Sequence, residues 1–137
     1  MNPTDREHFD RHVEWVLARL PQNVLNLLKE VPLHVEDQPS KRQMKDLGTD
    51  DPAGLCGYFF GIPFNAVSVF GHLHAAQAVP VPSSITIFRR GIIAASRNEQ
   101  GKVRRSELRQ QIRITILHEL AHLLGMEEDE LTAIGYG

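Results

Sequence analysis

The chain is poor in cysteine, in aromatic side chains and in surplus charge, and it has no long unbroken apolar run. Cys56 is the one cysteine among 137 residues, so no internal disulfide is available and a reducing, cytoplasmic compartment is expected. Fifteen basic residues against 17 acidic ones give a net charge of −2, which disfavours a general nucleic-acid binder. The longest stretch without charge, residues 52–88, is interrupted by Pro52, Gly54, Gly57, Gly61, Pro63 and Gly71, and is no membrane span. The opening residues, Met1-Asn2-Pro3-Thr4-Asp5-Arg6-Glu7, are charged and lack the apolar core of a secretory signal, so export is not expected. With 42% apolar residues the chain has enough material for one globular domain spanning residues 1–137.

Both helical and strand patterns occur along it. Thr4 and Glu7 have capping-box spacing, and Phe9, Val13, Val16, Leu17 and Leu20 then recur on one face, which predicts a helix from about Asp5 to Arg19. A second helix is predicted over residues 21–29, with Pro21 in its first turn, followed by a half-buried strand over residues 31–36. Residues 37–52 read as a loop with one helical turn near Gln43 to Leu47. Leu55 to Phe60, Ala66 to Leu73 and Ser84 to Phe88 are strand candidates, rich in β-branched and aromatic residues between glycines and prolines. One helical turn is expected near Ile92 to Ser96.

The strongest pattern comes last. Leu108, Ile112, Ile116, Leu120, Leu123 and Leu124 repeat at helical spacing, and Gly125 reads as the left-handed cap that ends the helix. A further helix begins in the acidic segment Glu127 to Glu130 and closes with Leu131, Ile134 and Tyr136.

Within the long helix stands His118-Glu119-Leu120-Ala121-His122. Residues four apart on a helix lie one above the other, so both imidazoles can reach a single tetrahedral cation. Glu119 lies one step around, placed to take a proton from a metal-activated water. A shuffled chain of this composition shows the bare H-E-x-x-H pattern about 2–3% of the time; adding Gly125 and an acid at position 128 brings that to ~0.02%.

A structural zinc would call for more than one cysteine. In one zincin group the third ligand is a glutamate on a distant later helix, but only residues 123–137 follow His122 here. In the other, the chain reverses at a glycine and returns the third ligand three residues later. Gly125 suits that reversal and makes Glu128 the expected third ligand, then Asp129, then Glu127.

With these residues in view the chain resembles the minimal zincins, compact bacterial zincin-like metallopeptidases. The resemblance runs through Leu20-Pro21, Val31 to Asp37, Gly57 to Pro63, Pro82 to Arg89, His118 to Gly125 and Leu131 to Tyr136. Where Glu128 stands, that family usually has aspartate. The resemblance implies an α+β fold, a small twisted mixed sheet packed against helices with the active-site helix near the C-terminus. It also implies one Zn2+ per chain and hydrolysis of a peptide or protein substrate.

Competing readings are a metal- or partner-binding module without turnover, and a zinc-dependent RNA-processing endonuclease. That endonuclease family carries a third histidine where this chain has Glu128. No nucleic-acid or membrane partner is expected, and Lys102, Arg104, Arg105, Arg109 and Arg113 read as a solvated basic face. His8, His12 and His34 read as structural, as do His72 and His74, although the last pair shares a strand face. Cys56 reads as a small buried hydrophobe.

Overall fold

A computed structural model describes residues 1–61 and 83–133. Its elements are α1 (Pro3–Leu17), α2 (Gln22–Glu30), β1 (Leu33–Glu36), α3 (Lys41–Leu47), β2 (Gly57–Phe60), β3 (Ser84–Phe88), α4 (Arg89–Ser96), α5 (Arg105–Leu124) and α6 (Glu128–Ala133). The predicted strand from Ala66 to Leu73, with His72 and His74, lies outside the described residues, as do Ile134 and Tyr136.

The sheet order is β1-β3-β2. β1 runs parallel to β3, with Leu33 opposite Ile85 and Val35 opposite Ile87. β2 runs antiparallel, with Gly57 opposite Ile87 and Phe59 opposite Ile85. The sheet is therefore mixed, and the fold is the expected α+β class. Ser84 to Phe88 is the central strand, with β1 along one edge and β2 along the other, so it offers no free edge to which an extended peptide could add.

α5 is the axis of the molecule. It packs against β2 and β3 on one side and against α1 and α4 on others. Ile112, Ile116, Leu120 and Leu123 are fully buried against Ile85, Ile87 and Ile92, and Phe9, Val13 and Val16 of α1 complete the core. Each such side chain contributes roughly 1.5–3 kcal/mol by leaving water.

Local chemistry sets the ends of the elements. Asn2 caps α1 by accepting from the Asp5 amide at 2.8 Å, with Pro3 in the first turn, so the helix starts ahead of the Thr4 box. Ser40 and Gln43 form a reciprocal capping box that extends the expected turn into α3. α4 is twice the expected single turn. Its Gly91 packs so tightly that an added Cβ would meet the Leu55 carbonyl oxygen at 1.9 Å.

A charged cluster pins α1 and the end of β1 to α4. The buried Arg89 guanidinium bonds Asp10 at 2.9 and 3.0 Å and Asp37 at 2.9 Å, while Arg6 bonds Asp37 at 2.7 Å. Hydrogen bonds from Arg6, reinforced by Arg89, hold the Asp37 carboxyl below the usual aspartate range despite its partial burial.

Candidate metal centre

α5 carries His118, Glu119 and His122 through its last two turns and then stops abruptly. Gly125 adopts φ 65° and ψ 33°; its amide donates to the His122 carbonyl at 3.1 Å, and that of Met126 donates to the Ala121 carbonyl at 2.8 Å. This paired closure is a Schellman motif, which only a residue at ease with positive φ completes without strain. The backbone thereby reverses directly after His122, and α6 begins at Glu128.

The three side chains converge. One donor atom from each of His118, Glu119 and His122 lies within 4.8 Å of the others. The imidazole rings are exposed and stand edge to face, 4.4 Å apart between centroids. Glu119 points inward and its side chain is only 5% exposed. His122 Nδ1 donates to Glu119 Oε1 at 3.1 Å, which fixes that ring's proton on Nδ1 and leaves Nε2 with its lone pair. Burial pushes the Glu119 carboxyl above the usual glutamate range, while His122 and His118 oppose that shift.

β2 forms the opposite wall. A Cβ on Gly57 would sit 2.8 Å from Thr115 Cγ2 and 3.0 to 3.1 Å from Glu119 Cγ and Oε2, so only glycine lets the strand approach the carboxylate this closely. The intervening cleft, about 460 Å³, is lined by Tyr58, Phe59, Leu47, Ile114 and Cys56 around the three polar groups. The Cys56 thiol is pushed up by burial and by Glu119, in keeping with an inert, partly buried sulfur.

A zincin-like metallopeptidase family model matches residues 28–137, most of the chain. The chain belongs to that family. A search of curated proteins gives no match. In this zincin-like chain His118, Glu119 and His122 thus converge near the end of one helix, beside a sheet strand and in an open cleft. No helix among the described residues is long and apolar enough to cross a membrane.

His118, Glu119 and His122 are brought together as the sequence implied. Glu128 and Asp129 stand in the first turn of α6 after the reversal, and the Glu128 side chain lies outside what the structure describes. His8 and His12 lie on α1, 4.8 Å apart between ring centroids, and His34 is on β1; all three are away from this cleft. Gly57, Thr115 and Tyr58 escaped the sequence reading. The only signal for Gly57 was a glycine opening a run of three aromatic residues.

Proposed function

We propose that this zincin-like chain is a zinc-dependent peptidase acting on a peptide or protein substrate in the cytoplasm. The observation that carries the reading is the convergence of His118, Glu119 and His122 beside β2. The two imidazoles are nitrogen donors suited to zinc, with the contact between Glu119 and His122 directing the imidazole lone pair. In this reading His118 and His122 hold one Zn2+, and Glu128 supplies the third ligand from the start of α6, with Asp129 the alternative.

Zinc held there would supply Lewis acidity toward a substrate carbonyl and would acidify a coordinated water to a pKa of roughly 7. Glu119 acts as the general base. Its Oε2 accepts a proton on the side facing Gly57 and later returns it to the leaving amine. Burial favours this role, because it raises the carboxyl above the usual glutamate range and so makes it the better proton carrier. Leu47 and Ile114, exposed by 44% and 42% at the cleft, suit an apolar substrate side chain next to the bond that is cut.

The test is metal content by plasma mass spectrometry, paired with hydrolysis of a peptide library. Wild type should carry one equivalent of zinc, lost in His122→Ala and in Glu128→Ala. Glu119→Gln should keep zinc and lose activity by about 10²–10⁴-fold. Zinc retained in Glu128→Ala moves the third ligand to Asp129. Undiminished hydrolysis in Glu119→Gln overturns the assignment of the base, and a chain that takes up no zinc is a partner-binding module instead.

A further inference from the structure

A second, larger cleft of about 1240 Å³ opens between α1, α4 and α5. Its wall carries five guanidiniums, those of Arg11, Arg90, Arg97, Arg105 and Arg109, against the carboxylates of Asp5 and Asp51. That concentration runs counter to the chain's net charge of −2.

Unlike Arg6 and Arg89, which are paired with aspartates, none of these five arginines meets a carboxylate among the described residues. Their partners are neutral. Arg97 donates to the Gly101 carbonyl at 3.2 Å, Arg90 donates to Gln38, and Arg109 donates from Nε to His12 Nδ1 at 3.1 Å. Because Nδ1 of the buried His12 accepts, the neutral ring carries its proton on Nε2, which adds a donor to the cleft lining. Burial, with His8, Arg109 and Arg105 nearby, holds His12 below the ordinary histidine pKa and keeps it in that neutral form.

Arg109 and Arg19 both lie over the Trp15 ring, 3.9 and 3.8 Å from its centroid. Among the described residues neither guanidinium has a carboxylate within ion-pair distance. Phe9, Leu108, Ile93 and Val103 supply an apolar floor beneath them.

From this arrangement we infer that the α1–α4–α5 cleft is a docking site for a short acidic segment of a partner polypeptide, anchored by an apolar side chain. An apolar floor beneath unpaired guanidiniums matches carboxylates flanking a leucine or phenylalanine. Nucleic acid is the poorer occupant, because guanidiniums already cover the one indole on which a base would stack, and the chain as a whole is acidic. The site does not depend on the peptidase reading. His118 lies nine residues beyond Arg109 on α5, so these two residues are roughly 13–14 Å apart along the axis and on opposite sides of the helix. α1, which forms one wall, precedes the stretch matched by the family model.

Trp15 is the only tryptophan and lines this cleft, so its emission responds to a ligand bound there. The experiment titrates the full chain with a fluorescent peptide of aspartates and glutamates around two leucines. Its asparagine and glutamine counterpart and a single-stranded oligodeoxynucleotide are run in parallel. Arg105→Glu is the diagnostic variant. Arg105 is exposed and opens α5, where an acid favours the helix dipole, so the fold is retained.

The expected result is saturable binding of the acidic peptide with a change in Trp15 emission, weakened about tenfold by Arg105→Glu and further by added salt. Equal binding of the neutral peptide, or no binding of the acidic one, overturns the proposal. So does tighter, Arg105-dependent binding of the oligonucleotide. Self-association in sedimentation that Arg105→Glu abolishes would assign the cleft to a second copy and overturn it as well.

Discussion

Alanine at Gly57 would place its methyl group 2.8 Å from Thr115 Cγ2 and 3.0 Å from Glu119 Cγ. Carbon atoms in good contact sit about 3.5–4.0 Å apart, so β2 or α5 must give way by roughly 0.7 Å. The backbone adds no penalty of its own, since positive φ among the described glycines is confined to Gly48, Gly61, Gly101 and Gly125. Nor can α5 retreat, because Ile112 and Ile116 on either side of Thr115 are fully buried. The cost is therefore that of overpacking, about 1–3 kcal/mol, or about 3–5 °C in Tm per kcal/mol for a chain of this size.

Thr115→Ser isolates the cause. It deletes the clashing Cγ2 but keeps the hydroxyl that donates to the Gln111 carbonyl at 2.8 Å. Urea unfolding of wild type, both single variants and the double variant closes a thermodynamic cycle. The serine should recover at least ~0.5 kcal/mol of the Gly57→Ala loss beyond its own effect. Additivity within about 0.3–0.5 kcal/mol would refute the claim that this methyl contact sets the approach of β2 to the helix.

Two further outcomes follow from the packing and the charges. Ile116→Ala, which empties a fully buried position between α5 and the sheet, should cost about 2–5 kcal/mol in urea unfolding, and a loss under ~1 kcal/mol would contradict the packing described. Asp37 has its folded pKa depressed, so its contribution is fully present above the ordinary aspartate value of roughly 3.9 and fades as pH falls through the lower folded value; the stability gap between wild type and Asp37→Asn should narrow below about pH 4, and a gap independent of pH would be inconsistent with this pairing.

Much of this was legible in the sequence because it is local. Periodicity placed the body of α5 and the Gly125 stop placed its end, and the helical repeat alone put His118, Glu119 and His122 on one side. Ser84 to Phe88 was bounded correctly by the prolines before it and the arginines after it. Its central place in the sheet was not legible, because strand order depends on pairings with segments some 25 to 50 residues away. The turn expected near Ile92 to Ser96 stops short of Gly91, which in the structure lies inside α4 and makes room for the Leu55 carbonyl. The basic run before the motif was read as a solvated face. Arg105 fits that description, but Arg109 is half-buried against Trp15 and His12, partners that sit on α1 nearly a hundred residues earlier.

Mounting the histidines on α5 also ties their fate to that of the whole molecule. Backbone amides of residues 112–120, in a helix enclosed by the sheet, α1 and α4, should exchange with solvent only through global opening, since no smaller unit can lift out without exposing the core. A ligand held by His118 and His122 would therefore bind the native state and not the unfolded chain. Its affinity and concentration would then appear directly as added resistance to unfolding.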